Sequence, residues 1–250
     1  MLLADRLAER VAGRGKQILY GIGAVVIIAL AGYGIYRWQQ RHTQEAERAL
    51  GRGITIMSAQ VSATPTPGSS AGDLTFASET ERAQKAIDEF QKVAAKYGDP
   101  YRSEARYFIA TNLVVTDRAK GINELQTISV GSGDVAVLAK FALAQAKESD
   151  GNYDDAAKLY SEIAKLNSPI VTLETANLRL AVVLGKQGKN QQAADLLFGI
   201  IDAARKAKDK DGKPVSEAGA ARDAEQELKR IDPARYAQLP PAPPPSGLSF

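Results

Sequence analysis

Two adjacent carboxylates beside a phenol, Asp154 and Asp155 after Tyr153, are the arrangement in this chain with the best spacing for general acid–base chemistry. They follow Gly151-Asn152 directly, where a helix begins, and acids at a helix start stabilise the positive end of its dipole. Their position therefore assigns them to the helix. The run "DKDGK" (Asp209–Lys213) has the opening of a calcium loop, but the later ligand positions do not match, which leaves a polar turn. His42, the single histidine, cannot alone build a zinc site or a Ser-His-Asp triad. The absence of cysteine removes disulfides, thiolate metal sites and a Cys nucleophile. No catalytic residue, metal ligand or cofactor set emerges, so the expectation is a non-enzymatic protein with no cofactor and no small-molecule substrate.

What the chain does carry is a repeat. Glu79 onward, a small residue is followed four positions later by a large one and three later by an aliphatic. The pattern appears as Ala86/Phe90/Val93, Gly121/Leu125/Ile128, Ala156/Tyr160/Ile163 and Ala193/Leu197/Ile200, at offsets of 35, 35 and 37. A partner pattern, alanine–x–large–x–x–alanine, precedes the last three as "ARYFIA" (105–110), "AKFALA" (139–144) and "ANLRLA" (176–181). Two helices thus alternate with the period of tetratricopeptide repeats. Small residues let paired helices touch, while the large residue one turn on fills the gap. Gly151 and Gly188 fall between paired helices, where a left-handed cap is needed, and Pro100 and Pro169 close the second helix of a pair. Scarce aromatics and abundant alanine agree with an all-α fold.

Ahead of the repeats, Ile18–Tyr36 ("ILYGIGAVVIIALAGYGIY") holds no charge and as a helix would span about 28 Å, close to the thickness of a bilayer's hydrocarbon core. Tyr20 at one end, with Tyr33, Tyr36 and Trp38 at the other, matches interfacial aromatic belts. A cleaved signal peptide competes, because Ala29-Leu30-Ala31 has the small-x-small form, but the apolar run continues beyond it to Tyr36. Gly21, Gly23, Gly32 and Gly34 contain no pair four apart, so a GxxxG dimer is not indicated. The domain layout read from these features is a cytoplasmic tail over 1–17, a single transmembrane helix over 18–36 and a helical stalk over 37–61. A flexible linker over 62–78 leads to repeats over 79–208, a turn and capping helix over 209–231, and a Pro-rich tail over 232–250. Residues 1–58 carry the basic excess (Arg6, Arg10, Arg14, Lys16, Arg37, Arg41, Arg48 and Arg52 against Asp5, Glu9, Glu45 and Glu47), so the body is near neutral. A neutral body argues against nucleic acid, which needs a concentrated cationic face.

Gly151-Asn152-Tyr153-Asp154-Asp155-Ala156 with Tyr160 resembles the tetratricopeptide consensus at its turn and second helix. The basic tail, apolar span ending near Trp38, Arg/Gln-rich stalk and degenerate repeats together resemble the membrane-anchored ancillary subunits of the bacterial SecYEG translocon. That likeness runs from Gly13 to about Lys206. It implies an inner-membrane, single-pass protein with its carboxyl domain in the periplasm. The implied partners are the SecYEG translocon, a membrane-anchored prolyl-isomerase-like chaperone and translocating chains. A structural scaffold of another envelope complex, for secretion or cell-wall assembly, shares the same features and remains the alternative.

In tetratricopeptide arrays the first helix of each pair lines the concave face, which here gives a protein-binding groove of Tyr107 and Thr111, Phe141 and Gln145, and Leu178 and Val182. Arrays that clamp a partner's carboxyl terminus present Lys and Asn there; this chain presents mostly aromatic and aliphatic side chains, suited to extended hydrophobic segments or an amphipathic helix. The same residues could equally be core, covered by a closing helix such as 216–231. Mass spectrometry of the intact protein taken from its membrane is expected to give a mass that includes residues 1–31; a mass lacking them would remove the anchor.

Overall fold

The computed structural model describes residues 42–62, 74–208, 210 and 219–242. The expected span, with Tyr20, Tyr33, Tyr36 and Trp38, lies outside them, as do Asp209 and 211–218. Among the described residues no helix is long and apolar enough to cross a membrane. The chain divides into two compact units, Met1–Arg52 and Gly53–Phe250. Residues 42–57 are helical (α1), with Ala46, Ala49 and Leu50 buried and Ile54 exposed.

A two-residue parallel pair, β1 (Gln60–Val61) with β2 (Thr75–Phe76), precedes the helical body of the second unit. Ser62 N–H donates to the Phe76 carbonyl at 2.9 Å, and Arg82 donates to the Ala59 carbonyl at 3.1 Å, so the pair is tied to the first helix that follows it. The body runs α2 (Glu79–Lys96), α3 (Tyr101–Thr116), α4 (Arg118–Ser129), α5 (Asp134–Ser149), α6 (Tyr153–Leu166), α7 (Leu173–Lys186), α8 (Asn190–Lys206), α9 (Gly219–Ile231) and the short α10 (Pro233–Tyr236). Each of α2 to α9 packs mainly on its neighbours in the chain, as a solenoid requires.

The helix boundaries have local causes. Ser78 caps α2 by accepting the Glu81 N–H at 3.1 Å, while the Glu81 carboxylate accepts the Ala77 N–H at 3.0 Å. Asp117 and Thr172 cap α4 and α7 in the same way. Gly151 and Gly188 have φ of 75° and 76°, and the residue after each closes the turn, Asn152 N–H onto Lys147 O and Lys189 N–H onto Leu184 O, both at 2.9 Å. These are Schellman closures, for which only glycine avoids a Cβ penalty. Pro100 and Pro169 both lie in linkers after a helix has ended, at Lys96 and Leu166.

The repeat registers become the core. Ala86, Ala156 and Ala193 are fully buried, and Phe90, Tyr160 and Leu197 one turn on are equally so. The partner alanines Ala105, Ala110, Ala139, Ala144, Ala176 and Ala181 are buried opposite them. Where the small position is Gly121, a Cβ would sit 2.4 Å from the Val114 backbone nitrogen and 2.7 Å from the Leu113 carbonyl carbon. Helices α3 and α4 therefore meet backbone to backbone. Beyond the last repeat, α9 buries Ala221, Ala224 and Leu228 against α8 and α7.

Gly121→Ala should lower stability by about 3 kcal/mol, because neither backbone can yield to the added methyl. Gly199→Ala, inside α8 with nothing within 4 Å of its Cβ, should raise stability by about 0.5–1 kcal/mol. Urea unfolding reads both; equal shifts would refute close approach as the reason for Gly121.

Candidate functional site

Three first-of-pair helices, α3, α5 and α7, carry the expected groove residues, and the structure sorts those residues into two kinds. Thr111 and Gln145 come together around a recess of about 270 Å³, with Val114, Leu125, Ala142, Ala146 and Ser149 as its other walls. The Thr111 hydroxyl donates to the Phe108 carbonyl of its own helix at 3.0 Å, whereas Gln145 is exposed. At one end of the recess Arg118 donates to the Ser149 hydroxyl and, at 2.9 Å, to the Ala146 carbonyl, and it pairs with Asp150. The recess is thus apolar below and polar at its edge.

The other four groove candidates lie elsewhere and are half-buried. Tyr107 rests against Phe108 with ring centroids 5.3 Å apart, and burial pushes its phenol above the usual tyrosine pKa. Phe141 meets Tyr160 edge to face at 5.7 Å. Leu178 packs into the core shared by α7, α8 and α9, and Val182 is half-buried on the same helix. Tyr107, Phe141 and Leu178 each put part of the side chain into core, so they supply packing as well as surface.

Asp154 and Asp155 are exposed in the first turn of α6. Asp154 accepts from the Gln187 amide at 2.7 Å, and Asp155 pairs with Lys147 at 3.6 Å. Both carboxylates line an open recess with Tyr153 and Lys189, and both sit in the first turn of α6, where acids stabilise the helix dipole. Among the described residues no group of three or more His, Asp or Glu is placed to hold a metal ion.

One charged cluster is absent from the sequence reading. Glu148, at the C-terminal end of α5, is buried to 6% exposure. Its carboxylate accepts from the Tyr160 hydroxyl of α6 at 3.1 Å, and from Arg179 at 2.5 Å and Lys186 at 2.8 Å on α7. Burial alone would raise the Glu148 pKa, but the Lys186 hydrogen bond, the Arg179 charge and the Tyr160 hydroxyl outweigh it and hold the carboxyl below its ordinary range. Burial is also the largest influence on Tyr160, whose pKa is pushed up to about 12. A signal was present in the sequence: an acid in the last turn of a helix opposes the dipole and calls for a cation to offset it. Nothing local says that the cations come from the following repeat.

No protein-family model matches the chain, and no curated protein does. Two solved structures do, both of nearly identical TPR-like repeats from Podosopora anserina ascribed to the kinesin light chains. One matches at 14% identity with a TM-score of 0.49, and a single-site variant of it at 16% with a TM-score of 0.50; each covers 64% of this chain and 82% of the other. At that identity the likeness concerns the fold, an all-α solenoid of tetratricopeptide-like repeats.

Glu148→Ala should cost about 1–2 kcal/mol, since the Tyr160 hydroxyl, Arg179 and Lys186 lose their common acceptor while both cations stay partly solvated. The pH dependence has two arms. The lowered Glu148 pKa gives stability that is present above the ordinary carboxylate range and lost as pH falls through the lowered value. The raised Tyr160 pKa makes the unfolded chain ionise first, so stability falls between pH 10 and about 12. Denaturant titrations against pH should show Tyr160→Phe losing less stability than wild type across that alkaline window; identical slopes would contradict the burial of the phenol.

Proposed function

We propose that the chain is a membrane-tethered, non-enzymatic protein-binding module whose repeat body works on the extracytoplasmic face of the bacterial inner membrane, beside the Sec translocon. The observation that carries the binding role is the recess between α3 and α5, where Thr111 and Gln145 stand over an apolar floor of Leu125 and Ala142. Its volume of about 270 Å³ is small for a metabolite pocket and suits one side chain of a peptide laid along the helices. A tetratricopeptide-like solenoid supports the same reading, because its uninterrupted helical surface offers contacts to an extended or helical segment without any catalytic group.

The location and partners rest on the sequence layout: an apolar span, an aromatic belt and a stalk ahead of the repeats, similar in order to the ancillary translocon subunits. In that setting the module engages translocating chains as they emerge, or passes them to a membrane-anchored prolyl-isomerase-like chaperone. Weak contacts suffice, because a shared membrane and a short tether raise the local concentration of the partner.

A photoreactive amino acid placed at Gln145 or Thr111 in cells should crosslink to translocon subunits or translocating chains, with position Gly199 on α8 as the control. Crosslinks from Gln145 and Thr111 solely to other envelope proteins would overturn the Sec assignment while leaving a binding module. Equal labelling from Gly199 would overturn the recess as the site.

A further inference from the structure

The expected Pro-rich tail starts with a segment that is docked. After α9 ends at Ile231, Asp232 caps α10 by accepting the Arg235 N–H at 2.9 Å, and Arg235, Tyr236, Leu239 and Pro240 contact α8 and α9. Tyr236 and Leu239 pack into the α8–α9 core. The Tyr236 ring is flanked by two cations, the Lys229 ammonium at 4.5 Å and the Arg205 guanidinium at 5.9 Å from its centroid. Arg205 is itself buried, paired with Glu225, and donates to the backbone carbonyl of Pro240. Arg235 stacks over Phe198 at 4.8 Å and pairs with Asp195 at 2.9 Å.

These contacts have the composition of peptide recognition. An aromatic anchor sits between cations, a leucine fills an apolar site three residues on, and a buried arginine reads a main-chain carbonyl next to proline. The four-residue α10 is far too short to hold its own helix, so the arm's conformation comes from docking. Its joint to α9 is the single residue Asp232, and its anchors are half-buried rather than sealed. Segments held this way open at lower free energy than the helices beneath them.

We propose that the α8–α9 face is a peptide-docking site that the chain's own arm occupies in cis, and that it accepts in trans a protein segment of the same chemistry, aromatic–x–x–leucine–proline. The site lies apart from the α3–α5 recess and does not rest on the role assigned there. The arm makes occupancy competitive: a partner segment binds as the arm lifts, and the apparent affinity is reduced by the closed fraction.

The test uses the full chain in mild detergent and a fluorescein-labelled peptide with the sequence of residues 232–242. Tyr236→Ala/Leu239→Ala loosens the arm without removing it. By fluorescence anisotropy this variant should bind the peptide at least about tenfold more tightly than wild type, and should lose binding when the peptide carries the same two alanine substitutions. No difference between variant and wild type would overturn the proposal. Hydrogen exchange on the wild-type protein gives a reading independent of the variant's folding. Arm amides should exchange at least about tenfold faster than buried α8 amides. Exchange of the arm only with global unfolding would make it permanent core and refute docking. A dimer of the wild-type protein formed through exchanged arms, seen by light scattering and abolished by Tyr236→Ala/Leu239→Ala, would replace the partner segment with a second copy of this chain.

Discussion

Backbone-to-backbone contact within helix pairs is the constraint from which the rest of this molecule follows. At Gly121 there is no room for a single methyl, and Ala86, Ala156 and Ala193 at the corresponding positions are fully buried. Such approach leaves a gap one turn further on, and Phe90, Leu125, Tyr160 and Leu197 fill it. A hairpin built this way has a second apolar face that it cannot cover itself, so it must stack on the next. The last hairpin then needs a cover, which α9 and the docked arm supply.

That constraint is also what made most of the fold legible. The small–large–aliphatic register recurs because each repeat solves the same packing problem, and every small residue it singled out in the body is buried. Gly151 and Gly188 were readable for a separate reason: a positive φ of about 75° admits little else. Features built between repeats were not readable. Glu148 depends on Arg179, 31 residues away, and Lys186, 38 residues away. The β1–β2 pair joins two stretches that each lack strand periodicity and are only two residues long. The Pro-rich tail reads in the sequence as a spacer or a weak docking site, because its prolines signal extended chain, while the face that receives Tyr236 exists only once α8 and α9 have packed. The expected transmembrane span, 18–36, lies outside the described residues.

The candidate groove shows a subtler limit. Periodicity places a residue on a helix face, but a face two residues wide can serve core and surface together. Tyr107 and Phe141 turn part of each ring onto Phe108 and Tyr160, and Leu178 turns inward to α8 and α9. The polar pair, Thr111 and Gln145, stands over an apolar floor. Under the proposed binding role, a partner would insert one side chain into the recess and contact the amide at its edge, rather than lie along a continuous hydrophobic strip.

Alanine contacts bring helices close but fix their register poorly, since small residues recurring every turn allow a slip of about 5.4 Å into a similar arrangement. The Glu148 cluster penalises that slip. Its carboxylate is buried at one end of α5, and only one placement of α7 brings Arg179 and Lys186 to it together while Tyr160 donates from α6. An apolar substitute of equal volume could match it in stability, so stability alone does not account for charges in that position. Register does. The Arg205–Glu225 pair occupies the corresponding role between α8 and α9, and there the same arginine also holds the Pro240 carbonyl. One buried cation thus contacts both α9 and the arm, linking the end of the solenoid to the segment docked on it.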